Sequence, residues 1–138
     1  MLDTSVLVAA IRSVNGASRL LANMILSGEL RPLISVPLVL EYEFVATRPE
    51  HLGRSDLDSE EIVDIVKSFC TNAEHVHVAS RLRPQLTDPN DEFVLEAAVY
   101  GHADAMITMN IAHFQIAGRR FGIETLSSGE ALRRLREL

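Results

Sequence analysis

The chain has 138 residues, 47% of them hydrophobic and 23% charged, with a net charge of −6 at neutral pH. That balance fits a single globular domain over 1–138 with room for a core, and the negative total argues against a dedicated DNA binder, which carries a basic face. No apolar run reaches the roughly 18 residues that span a bilayer, so no membrane partner is expected, and Cys70, the only cysteine, points to a reduced, cytoplasmic setting without an intrachain disulfide.

The first β-like run lies around Leu2, with no basic stretch before it, so it does not read as a secretory signal. It is short for such an element, and a few upstream residues are expected. Residues 17–26 are apolar at helical spacing and end near Gly28. A second strand is expected over 33–36, then a helix over 38–48 with Pro37 in its first turn. The segment 58–70 opens "DSEE", in which Asp58 caps a helix and Glu61 closes a capping box. A third strand is expected over 75–79. A helix over 89–102 and a strand over 105–109 follow, then a strand over 123–126. The last helix, 127–138, opens with another box, "SSGE". Strands alternating with helices predict an α/β fold with a mostly parallel central sheet between helical layers. In such sheets, ligands sit beyond the carboxyl ends of the strands.

Three carboxylates stand where apolar residues belong. Asp3 lies inside the first apolar run, and burying an unpaired carboxylate costs several kcal/mol. In "PLVLEYEFVATR", Leu38, Glu41, Tyr42 and Val45 share one helix face, whereas Glu43 points elsewhere and reads as solvated. In "PNDEFVLEAAVYGHA", Asp91, Val94, Leu95 and Ala98 repeat that spacing, with Glu92 and Glu96 on the opposite, polar side. Each has an ordinary alternative. Asp3 could cap the next element, Glu41 could pair with Arg48, and Asp91 with Asp88 could cap the helix they open. Their common placement at strand ends and first turns favours convergence instead. Carboxylates gathered there repel, and a hard divalent cation such as Mg²⁺ or Mn²⁺ removes that penalty. His75 and His77 do not make a zinc site, with no second cysteine to join them.

These segments resemble the PIN domains, the metal-dependent ribonuclease fold of VapC-type toxins, over nearly the whole chain. "LDTSVLVAAI" resembles the first motif, which makes Asp3 a metal carboxylate with Thr4 and Ser5 as supporting hydroxyls. "ISVPLVLEYEFVATRPEH" resembles the second, and counting from Ser35 selects Glu41. "DPNDEFVLEAAVYGHADAMITMN" resembles the third block, with Asp91 as the third carboxylate and Asp88 as its structural neighbour. The family's Thr-x-Asp after the fourth strand is here "TMN", with Thr108 in the threonine position. Asn110 then offers a carbonyl oxygen without a charge.

The resemblance implies hydrolysis of RNA phosphodiester bonds, in single-stranded or structured RNA, by Asp3, Glu41 and Asp91 holding Mg²⁺ or Mn²⁺, with Asn110 a further ligand. It also implies a toxin with a cognate antitoxin, and a homodimer. Of the 13 basic residues only Lys67 is a lysine, and arginine forks suit phosphate; Arg12 is the first candidate for the substrate rim, with Arg119 and Arg120 as others. The alternative is a PIN-like module that binds RNA or protein without cleaving. Phosphatases and receiver domains with a strand-end aspartate need a suitably placed lysine, and Lys67 lies mid-helix in an unrelated segment.

Overall fold

The computed structural model describes residues 1–89 and 91–137. It is mostly helical, with short parallel strands, and its α/β class matches the alternation in the sequence. Helix α1 (Thr4–Arg12) starts directly after Asp3, and α2 (Ala17–Leu26) has the bounds expected at both ends. Strand β1 (Leu33–Ile34) runs into α3 (Val36–Ala46). It stops after two residues because Ser35 already caps the helix, its Oγ accepting the Leu38 N–H at 3.4 Å. Then come α4 (Pro49–Leu52), α5 (Ser59–Asn72), β2 (Glu74–His75), α6 (Glu92–Tyr100) and β3 (Ala105–Ile107). Finally α7 (Ile111–Arg120), β4 (Glu124–Leu126) and α8 (Ser128–Arg136) complete the described chain.

The Asp58 capping box forms with both halves present. At α8, Ser127 accepts the Glu130 N–H at 3.1 Å, and the return bond from Glu130 does not form among the described residues. Helices α4 and α7 were not anticipated from the sequence. The helix expected over 89–102 begins at Glu92; position 90 lies outside the described residues, as does 138.

Two parallel pairs carry the strand pairing. Leu33 faces Glu74 in the first, and Ala105, Met106 and Ile107 face Glu124, Thr125 and Leu126 in the second. The N-terminal run joins β3 as a single parallel bridge at Leu2 rather than as a strand. Its bonds are Asp3 N–H to Ile107 O at 2.9 Å and Ile107 N–H to Met1 O at 2.8 Å. β1 and β3 are shorter than their expected runs because a helix begins within four residues of each, whereas β2 covers only Glu74–His75 where a strand is expected over 75–79, the backbone beyond Val76 N–H leaving β1.

Leu21, Ile25, Leu38, Phe69, Leu95 and Phe114 are fully buried in one core, each worth about 1.5–3 kcal/mol relative to exposure. Tyr42 is buried beside them and donates its hydroxyl to Leu2 O. Burial raises the phenol pKa, so the group stays a neutral donor. Since Tyr42 follows Glu41 and Leu2 precedes Asp3, this bond ties the two carboxylate-bearing segments together. On the other side, α7 packs on β4 at Gly118. A Cβ there would lie 2.8 Å from Ile123 O, a backbone contact too close for any larger residue.

Candidate functional site

Asp3 ends the N-terminal run and is the N-cap of α1, yet its side chain makes no cap hydrogen bond. Instead Oδ2 accepts from Ser5 Oγ at 2.6 Å and from Thr108 Oγ1 at 2.7 Å. Both hydroxyls themselves accept backbone N–H groups: Met109 N–H on Ser5 at 3.0 Å, and Asn110 N–H on Thr108 at 2.9 Å. Their protons are thereby directed at Asp3, which fixes the carboxylate's orientation. Thr4 Oγ1 is buried among the described residues without a partner.

Glu41 sits one turn into α3, and its Oε2 is buried with no hydrogen-bond partner among the described residues. Burial pushes its pKa above the usual glutamate value, and the charges of Asp3, Asp91 and Asp88 push the same way; Arg48 pulls weakly against them. The alternative reading, an ion pair with Arg48, does not form among the described residues, and Arg48 is the smallest of these influences. Arg48 instead lies over the Phe44 ring, 5.2 Å from its centroid.

Asp91 is the N-cap of α6, but without a side-chain cap bond. Its carboxylate is thus not spent on helix amides, the ordinary alternative for it. Burial raises its pKa to about 6, helped by the charges of Asp3 and Asp88 and opposed by His113. His113 Nδ1 lies 3.4 Å from Asp91 Oδ2. The sequence reading missed His113, because it assigned no helix to 111–120; its only signal is position, three residues after Asn110.

Asp3, Glu41, Asp91 and Asp88 therefore share one electrostatic field. Among the described residues, however, no three acidic, histidine or cysteine side chains are gathered closely enough to grip an ion together. The donor chemistry suits a hard cation: an orphaned buried carboxylate oxygen and two raised carboxyls are stabilised by a positive charge. Asn110 is exposed and is the N-cap of α7, with no side-chain cap bond. Arg12 is exposed in the last turn of α1, about 12 Å along the axis from Thr4.

Two glutamates correct the polar-face reading. Glu92 and Glu96 are buried, not solvated. Glu96 accepts the Leu82 N–H at 2.9 Å and the Arg83 guanidinium at 3.1 Å, while Glu92 accepts the Gln85 and Leu86 N–H groups at 2.8 and 2.9 Å. The segment before α6 folds back over that helix and covers the face that periodicity assigned to water. Glu43 is likewise half-buried.

A family model described as a PIN domain matches residues 1–112. No curated protein and no solved structure matches the chain.

Proposed function

The chain belongs to the PIN domain family, a three-layer α/β/α fold of the nuclease type, and we propose that it is a divalent-metal-dependent endoribonuclease. PIN domains are generally metal-dependent nucleases, which supports this reading. The observation that carries it is the buried Oε2 of Glu41, without a partner among the described residues and held in the field of Asp3, Asp91 and Asp88. A buried carboxylate oxygen without a partner among like charges is costly, and a bound cation removes that cost.

In this reading Asp3, Glu41 and Asp91 would hold Mg²⁺ or Mn²⁺ directly or through water, with Asp88 adding charge and Asn110 an exposed carbonyl. When bound, such an ion acidifies water and offsets the charge that builds on the attacked phosphate. Ser5 and Thr108 hold Asp3 in one orientation, and Tyr42 keeps α3 against the N-terminal run. Thr4 offers a buried hydroxyl at the start of α1. Arg12 serves as an outer contact for the RNA backbone. We include the whole chain, 1–138, in one domain, because β4 pairs with β3 and Leu126, Ala131 and Leu132 join the common core.

The finer role is the toxin of a toxin–antitoxin pair, acting as a homodimer; it rests on the motif resemblance. Val36, Leu40 and Phe44 recur every fourth residue of α3 and are 61–72% exposed, which supplies apolar area for such contacts. No helix among the described residues is long and apolar enough to cross a membrane.

The test is cleavage of a mixed RNA pool with Mn²⁺ or Mg²⁺, native protein against Asp3→Asn and Glu41→Gln. Cleavage that needs the metal and both carboxylates supports the reading; equal cleavage by all three proteins sinks it. A second reading, an RNA-binding module without cleavage, is favoured by Asn110 standing where the family has an acid. Binding of RNA that survives both substitutions, with no cleavage by any of the three, would select it.

A further inference from the structure

A cleft of about 380 Å³ opens between residues 85–88 and α7, within the roughly 300–1,000 Å³ of small-ligand sites. His113, Ile116, Ala117 and Arg120 line it from α7, at the i, i+3, i+4, i+7 spacing of one face. Asp88 and Asp91 stand at the His113 end; Arg120 lies about 10 Å further along the helix axis. Ile116, between them, is 67% exposed. The cleft thus runs from the candidate metal carboxylates, past an uncovered apolar side chain, to a guanidinium.

Both walls are built. Arg120 Nη1 donates to Gln85 Oε1 at 3.4 Å, which spans the cleft. That contact uses one donor of a guanidinium that has five. The facing wall is pinned from beneath by Glu92, which takes the Gln85 and Leu86 N–H groups, and by Glu96, which takes Leu82 and Arg83. Arg83 also lies over the Phe93 ring, 4.5 Å from its centroid. A wall held this way loses little freedom when a ligand enters.

We propose that this cleft is the subsite for the nucleotide next to the scissile phosphate of a single-stranded RNA, with Arg120 as the phosphate ligand and Ile116 as the platform for the base; the proposal rests on the nuclease reading above. In a chain of net charge −6, phosphate enters only where a cation meets it. Arg120 supplies that cation at the end of the cleft away from the carboxylates. An apolar side chain inside the cleft fits the face of an unpaired base, which a duplex does not offer.

The experiment compares the native protein with Arg120→Ala, Ile116→Asp and Arg133→Ala, the last an exposed control on α8. Mn²⁺-dependent cleavage of a short single-stranded RNA gives kcat and KM. Fluorescence anisotropy across a salt series gives affinity and its salt slope, and circular-dichroism melts check folding. Arg120→Ala should raise KM about tenfold with kcat within about twofold, and flatten the salt slope by about one. Ile116→Asp should raise KM without a change in metal requirement, and Arg133→Ala should match the native protein. Native KM and salt slope in both cleft variants, with cleavage intact, overturn the subsite and leave the nuclease reading standing. An equal KM increase on a blunt duplex overturns the single-strand assignment. Absence of cleavage and of RNA binding in the native protein removes both readings together.

Discussion

Thr108 donates its hydroxyl to Asp3 Oδ2 at 2.7 Å, across 105 positions of sequence. The same hydroxyl oxygen accepts the Asn110 N–H, so one side chain joins the end of β3, the start of α7 and the carboxylate before α1. Thr108→Val keeps the shape and removes both bonds. It should lower stability by about 1–3 kcal/mol and weaken Mn²⁺ binding, whereas Thr108→Ser should retain most of both. Urea denaturation and a Mn²⁺ titration read the two effects. A valine variant with native midpoint and native affinity would show that the bond orients nothing.

Glu41 Oε2 is a buried carboxylate oxygen with no hydrogen-bond partner among the described residues. Glu41→Gln should reduce metal-dependent cleavage by at least about 100-fold, in line with loss of one charged group from an electrostatic site. The metal-free protein should not become less stable, because a repelled charge is removed. Mn²⁺ should raise the native melting temperature and raise that of the variant much less. A variant that melts well below the native protein without metal, and responds equally to Mn²⁺, would make Glu41 a structural residue.

Asp91 sets a pH dependence. Its pKa is raised on folding to about 6 by burial first, then by Asp3 and Asp88; Glu41 moves in the same direction. A carboxyl with a raised native pKa holds its proton more tightly when folded, so its contribution is complete below the unfolded value, about 4. That contribution is lost as pH rises through about 6. Asp91→Asn should therefore stabilise the metal-free protein at pH 7 by about 1 kcal/mol after solvent screening, and by little at pH 4. Melts with chelator at both pH values decide it; a gap that shrinks as pH rises contradicts the assignment. Excess Mn²⁺ should close the gap at pH 7 by stabilising the native protein alone.

Glu96 is 3% exposed and takes both a backbone N–H and a guanidinium from the segment it holds. Glu96→Ala strands a partly buried Arg83 charge, and should cost about 3–5 kcal/mol. Glu96→Gln keeps an acceptor for Leu82 and should cost less than half as much. Limited proteolysis should cut the alanine variant near residues 81–86 before the native chain. Equal cutting in both would mean that the segment is held by something other than Glu96.

Local chemistry written in adjacent residues was legible without coordinates. The bounds of α2 follow from its apolar period and the glycine beyond it, and the Asp58–Glu61 box from side chains three residues apart; the Ser35 cap, which starts α3 at Val36, was not read from the sequence. The inward placement of Glu41 was legible too, because helical period alone puts it on the stripe of Leu38 and Tyr42. Tertiary structure decided what no period encodes, namely which distant segment lies against a given face. Glu92 and Glu96 look solvated until residues 82–86 fold back over α6, and His113 acquires meaning only when α7 carries it to Asp91. Thr108 meets Asp3 because Leu2 bridges to Ile107. The physical reason is one of range: caps and amphipathic faces are fixed by neighbours within a turn or two, whereas a buried charge is stabilised by whatever the whole fold brings to it.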